Sequence, residues 1–170
     1  LYNISTTSAS GISLHKETNI NGAAFYADGA VYTPYVEDWG FMVLRNFLRI
    51  DPQTGKFETV NTEFTDQYEI FSAAWLPKRN YALAYGLNAS KNPMLLKLDL
   101  LGNVSELAPL DASMNFTGGL CVDAAGKVYG MSSAGDLYTI SLSDYSCSKI
   151  GSTGVSTLYA TALCFDNDRD

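Results

Sequence analysis

The sequence predicts an all-β chain of four-stranded antiparallel units repeated roughly every 45 residues, a period in the range of propeller blades. Three observations predict it. One short signal occurs four times: Leu1-Tyr2-Asn3-Ile4-Ser5, Phe47-Leu48-Arg49-Ile50-Asp51, Leu95-Leu96-Lys97-Leu98-Asp99 and Leu137-Tyr138-Thr139-Ile140-Ser141, with anchors Ile4, Ile50, Leu98 and Ile140 separated by 46, 48 and 42 residues. A second set follows the same period: Gly22–Phe25, Ser72–Trp75, Gly119–Val122 and Ala162–Phe165. Turn signals come next in each unit, Asp28-Gly29, Pro77-Lys78-Arg79-Asn80 and Asp123-Ala124-Ala125-Gly126. Gly, Pro, Asn and Asp preset such turns, so each is expected to join two short strands.

The elements of a unit can be justified in order. The first strand carries small residues, Ala23, Ala73, Ala74 and Gly119 among them, because innermost strands converge on the ring axis where large side chains would collide. Its closing residues Phe25, Trp75, Val122 and Phe165 are expected at equivalent positions in the wedge between blades, where burial of one such side chain contributes roughly 1.5–3 kcal/mol. Val31-Tyr32, Tyr81–Leu83 and Val128-Tyr129 then read as second strands, and the Ile-anchored segments as third strands. Lys56–Val60, Val104–Leu107 and Ser148–Ile150 close each unit as fourth strands.

The expected architecture is therefore a β-propeller region with a half-blade at 1–17, blades at 18–61, 62–110 and 111–154, and the start of another blade at 155–170. Closed rings have roughly 4–8 blades, and the two terminal pieces lack the second strand needed to complete one between them. The chain thus reads as three full blades plus two half-blades of a larger ring. Its start at Leu1, already inside a repeat, reads as an excerpt.

Composition limits the functions. The 170 residues are 46% hydrophobic and 17% charged, enough apolar material for a core, and the net charge of −7 with scattered Lys and Arg argues against nucleic acid. No apolar run approaches the roughly 20 residues of a membrane-spanning helix. Zinc is disfavoured, since no Cys-x-x-Cys pair exists and His15 is the single histidine. His15 sits beside Lys16 and Glu17 near the outer edge of a half-blade, a turn position rather than an acid–base site. Cys121 and Cys164 occupy one repeat position in successive blades, too far apart for a disulfide, and read with Cys147 as structural thiols.

Carboxylate pairs at Glu37 with Asp38 and at Asp66 with Glu69 lie on loops where solvation is the ordinary fate, so no catalytic residues are assigned. Asp166, Asp168 and Asp170 space out like the opening of a calcium loop, but other blades fill that slot with acid-rich hairpin turns, and no metal or other cofactor is assigned. Sequons at Asn3, Asn88, Asn103 and Asn115 matter only in a eukaryotic secretory pathway.

The variable feature is the connection between second and third strands. It is long and aromatic at residues 33–41, polar at 86–93 and short at 130–135. Strand alternation brings these loops out on the face that also carries the links between blades. Tyr35, Trp39 and Tyr68, rimmed by Glu37, Asp38 and Glu69, are the candidate ligand-binding residues, because exposed aromatics offer apolar area with a polar handle. The acids there suit polyhydroxylated or cationic ligands.

Gly135–Ile140, Lys149–Gly154 and Tyr159–Asp166 resemble the repeat of secreted bacterial propellers of the YVTN, NHL and quinoprotein-like group, and are similar to cell-surface propeller proteins of Bacteroidetes. Phe47–Lys56 fits the same pattern, while Leu100-Leu101-Gly102-Asn103 shortens its outer turn. The resemblance implies an exported or cell-surface protein that binds a carbohydrate, peptide or protein, and it carries no catalytic set. An enzyme with a carboxylate or cofactor site at the channel mouth, or a structural spacer, is the alternative.

Overall fold

The computed structural model describes residues 2–4, 11–13, 23–38 and 43–155. Its strands form a two-stranded pair, β1 (Tyr2–Ile4) with β2 (Gly11–Ser13), and three four-stranded antiparallel sheets. The first sheet runs β3 (Phe25–Ala27), β4 (Ala30–Asp38), β5 (Val43–Ile50), β6 (Phe57–Asn61). The second runs β7 (Glu69–Leu76), β8 (Tyr81–Leu87), β9 (Pro93–Leu98), β10 (Val104–Pro109), and the third β11 (Leu120–Val122), β12 (Val128–Met131), β13 (Asp136–Ile140), β14 (Cys147–Ser152). The one helical element among the described residues is a 3₁₀ turn at Phe116–Gly118. Strand order equals chain order in every sheet, and β7 touches both β3 and β11. Sheets that meet along their first strands in this way are propeller blades.

Packing explains the strand compositions. β8 is buried over Tyr81–Gly86 because a neighbouring blade covers each of its faces. Ala82 and Ala84 belong to clusters with the preceding blade and the second blade's own Leu96, whereas Tyr81, Leu83 and Tyr85 pack with Phe116, Leu120, Val128 and Ile140 of the following blade. Small residues on one face and large ones on the other let successive sheets interlock. Ser72, 4% exposed, reinforces the second contact by donating its hydroxyl to the Phe116 carbonyl at 2.9 Å.

The anchors Ile50, Leu98 and Ile140 lie on β5, β9 and β13, the third strands of three separate sheets, and Ile4 lies on β1. The register of the first strands differs from the expectation. Ile50 stands opposite Val31 and thence Tyr26, Leu98 opposite Ala82 and Trp75, and Ile140 opposite Val128 and Val122. The equivalent residues are therefore Tyr26, Trp75 and Val122. Phe25 falls one residue out of register and so points to the opposite face.

The cause is turn length: Asp28-Gly29 is a two-residue hairpin with φ of 47° and 79°, while Pro77–Asn80 and Asp123–Lys127 are longer. Phe25 is still buried, because its face meets the next blade, where it stacks on Trp75 at 5.8 Å with planes 2° apart. Val122 packs at the edge of the cluster between the second and third blades. Phe165 and Cys164 lie outside the described residues, as do His15 and the acids Asp166, Asp168 and Asp170.

All three outer strand pairs shift register two residues beyond the anchor, leaving Val60, Leu107 and Ile150 without an opposite partner. Such bulges sharpen the local twist of the outer strand.

Acidic side chains fasten several turns. Asp51 accepts from the Gln53 and Thr54 amides, Asp111 from the Ser113 amide and hydroxyl, and Asp144 from Ser146; Asp136 pairs with Lys149 at 2.6 Å. These bonds hold their carboxyls below the usual range, led by the Gln53 amide for Asp51, the Ser113 amide for Asp111, Lys149 for Asp136 and the Ser141 hydroxyl for Asp144. A depressed native pKa means that the unfolded chain takes up protons first as pH falls. The stabilisation is complete above the unfolded value of about 4 and is lost as pH drops through the native values. The melting temperature should therefore be flat from neutrality to about pH 5 and fall below about pH 4. Asp51→Asn and Asp144→Asn should each shallow that fall, and an unchanged profile in both would remove these turns as its source.

Candidate functional site

On the face carrying the β4–β5, β8–β9 and β12–β13 connections and the links between blades, a recess opens on each side of the link at 62–68. The smaller, about 220 Å³, is lined by Gln67, Tyr68, Asn88, Ala89, Ser90 and Glu106. Each wall has a local reason. Tyr68 precedes β7 and packs its ring on the cluster of Ala84, Met94 and Leu96, leaving the phenol at the surface end. Burial first, then the charge of Glu106 and a hydrogen bond to it, raise the phenol's pKa. The phenol therefore stays protonated beside the Glu106 carboxylate, with which it lines the recess.

Asn88 organises the opposite wall. Its side-chain oxygen accepts the Ser90 and Asn92 amides at 3.1 Å each, and its carbonyl accepts the Lys91 amide at 2.8 Å, which places Lys91 at φ 61°. Lys91 then reaches the Glu69 carboxylate in an exposed ion pair. Gly86 allows the end of β7 to come this close: a Cβ there would lie 2.4 Å from the Glu69 carbonyl oxygen. Phenol, carboxylate, amides and a hydroxyl around one recess supply both donors and acceptors, the chemistry that hydroxyl-rich ligands need.

The larger recess, about 500 Å³ and more open, is lined by Val43, Leu44, Arg45 and the link residues Thr62–Asp66. Phe64 ties the link to the hairpin, its amide donating to the Arg45 carbonyl at 3.1 Å. Val43 and Leu44 are 47% and 37% exposed, an apolar lip on a polar recess.

The candidate residues are distributed between two elements. Tyr68 lies in the smaller recess, with Glu69 beside it. Tyr35, Glu37 and Asp38 belong to β4, not to a loop, because that strand continues to Asp38. Tyr35 is half-buried opposite Asn46, and Glu37 and Asp38 stand opposite Leu44 and Val43, both of which line the larger recess. Trp39 lies outside the described residues. Pro34 obscured the extension, since proline argues against a central strand; here β4 has left β3 behind at Tyr32 and pairs only with β5. Glu106 is not among the residues the sequence singles out, because an acid on an outer strand ordinarily faces water. Its signal is spatial, the approach of Tyr68, and sequence order does not show it.

Cys121 is buried and Cys147 half-buried; burial pushes the Cys147 pKa up, which keeps it in the thiol form. Among the described residues no three His, Cys, Asp or Glu side chains group as metal ligands, and no helix is long and apolar enough to cross a membrane.

No family model matches the chain, and no curated protein matches it in sequence. Solved structures do. TolB from Acinetobacter baumannii superimposes with a TM-score of 0.57 at 12% identity, over 88% of this chain and 36% of that one. A Bacteroides thetaiotaomicron protein of unknown function gives 0.56 at 14% identity, over 87% and 37%. XC5397 from Xanthomonas campestris, a gluconolactonase, gives 0.59 at 14% identity, over 98% and 58%. All three are β-propellers, which establishes the fold. The chain spans less than two thirds of the length of each.

Proposed function

We propose that this chain is the ligand-binding propeller region of an exported or cell-surface protein and that it binds without catalysing a reaction. The observation that carries the reading is the recess in which the Tyr68 phenol meets Glu106, faced by Asn88 and Ser90, with the Glu69–Lys91 pair beside it. Its ligand class is polyhydroxylated: a carbohydrate chain bridges donors and acceptors of this mixed kind and stacks on an aromatic edge. The 43–46 end of the long hairpin, with Tyr35, Glu37 and Asp38 on its partner strand, extends the surface across the 62–68 link. Likeness to TolB and to the Bacteroides protein supports a propeller of this architecture, and the secreted-propeller resemblance of the repeat supports export.

The test is a panel of neutral and acidic oligosaccharides titrated into the isotope-labelled chain. Amide shifts are expected at 67–69, 88–91 and 106. Tyr68→Phe and Glu106→Gln keep the ring packing and should weaken the best ligand by about tenfold, the loss of one hydrogen bond to a charged group, with melting nearly unchanged. Shifts confined to other blades, or unaltered affinity in both variants, would refute the reading.

The gluconolactonase likeness favours one second reading, hydrolysis of a sugar lactone. Turnover of a lactone panel with added divalent cations, surviving Glu106→Gln, would replace binding with catalysis.

A further inference from the structure

On the opposite face, between the second and third blades, a cavity of about 420 Å³ opens under the inner hairpin turns. Leu76, Pro77, Val122, Ala124, Ala125 and Leu142 give it a predominantly apolar wall, and Lys78 and Arg79 stand in the same lining. The volume lies within the roughly 300–1,000 Å³ of small-molecule sites. Both walls belong to blades that the structure describes completely, so the cavity is a property of the blade interface and not of an uncovered end. It shares no lining residue with either recess on the ligand face.

Its electrical character runs against that of the chain. In a protein of net charge −7, two adjacent cations line an apolar cavity; among the described residues, Arg49, Lys91 and Lys149 are held in ion pairs elsewhere, while Arg45, Lys56, Lys97 and Lys127 are not. Lys78 and Arg79 enter no ion pair among the described residues, and both are exposed. The turn that carries them is firmly built: the Arg79 and Asn80 amides both donate to the Leu76 carbonyl at 2.9 Å, with Asn80 at φ 56°. The one acid in the lining, Asp123, is already engaged, accepting from the Lys127 amide at 2.8 Å and the Tyr129 hydroxyl at 3.3 Å. Asp144, in the neighbouring outer turn, is likewise bonded to Ser146.

We infer that this cavity is a second binding site, for a small free anion with an apolar body, of the kind represented by a medium-chain carboxylate. The apolar wall takes the chain and removes it from water, while the two cations at the mouth receive the carboxylate. A neutral alcohol of equal length would gain the first contribution only, and a cationic amphiphile would be repelled. Arg79 can offer two parallel N–H donors to a carboxylate, which is the geometry that favours this head group.

The experiment uses decanoate, 1-decanol and decyltrimethylammonium below their aggregation concentrations, with the labelled 170-residue chain. Decanoate should shift the amides of 76–80, 122–127 and 142, and bind at least about tenfold more tightly than decanol, with no binding of the ammonium. Lys78→Glu/Arg79→Glu, on an exposed turn, should cost decanoate about tenfold or more and leave decanol unchanged. Ala124→Trp should fill the cavity and abolish both. Equal binding of decanoate and decanol, decanoate binding indifferent to the charge reversal, or shifts outside these turns would overturn the proposal. So would a peptide carboxylate that binds more tightly than decanoate, since the occupant would then be a protein terminus.

Discussion

Replacing Phe47 with Ala is expected to destabilise the chain by about 4 kcal/mol, in the range for a deleted buried aromatic side chain. Phe47 is fully buried at the centre of an aromatic array: Phe64 lies 5.5 Å away, Tyr32 6.0 Å and Phe25 6.4 Å, and Phe25 in turn stacks on Trp75 of the next blade. Loss of the ring removes contacts on several sides at once and leaves a hole that β5, paired on both edges, cannot close. Urea unfolding measures it, and Phe47→Leu, which keeps most of the volume, should lose less than half as much. A loss below about 1 kcal/mol for the alanine variant would show that the first two blades are not joined through this array.

A comparable loss, about 3–5 kcal/mol, is expected for Phe116→Ala at the next blade interface. Phe116 has no exposed surface, meets Tyr85 and Tyr138 edge-on at 6.0 and 5.6 Å, and offers its carbonyl to Ser72. Space for the ring comes from Gly130, where a Cβ would stand 2.8 Å from the Phe116 ring. Gly130→Ala should therefore destabilise through the same contact by about 1–3 kcal/mol from overpacking. In combination with Phe116→Ala it should cost much less, because the clash with the ring disappears and only the 3.1 Å approach to the Leu120 side chain remains. Additive losses in the double variant would place the glycine's importance elsewhere.

These two positions also show how far the sequence could be read. The anchors were legible because each blade states the same requirement again: Ile50, Leu98 and Ile140 must all be buried on a third strand, and repetition separates that signal from chance. The first-strand register was not. Both faces of an inner strand can be covered in a propeller, so buried Phe25 and half-buried Trp75 both pack between blades although they point to opposite faces of their own sheets, and hydrophobicity cannot reveal a one-residue slip. Only the turn lengths distinguish the registers, and these differ between blades. At the ligand face, Tyr68 and Glu69 stood out as an aromatic and an acid in a short link. Glu106 and Asn88 matter through contacts made across two strands and a turn, which neither spacing nor composition records.

The unpaired residues Val60, Leu107 and Ile150 have a consequence beyond the blades themselves. The outermost strand of a sheet presents a free row of amide and carbonyl groups, the template on which a second molecule can add a strand and begin an aggregate. Three outer strands interrupted at the same place break that row before it is long enough to pair, even where apolar side chains such as Phe57 and Ile150 sit on the rim at 46% and 55% exposure. The repeat thus carries in its backbone a safeguard against sheet-to-sheet polymerisation, leaving the rim's side chains free to vary from blade to blade.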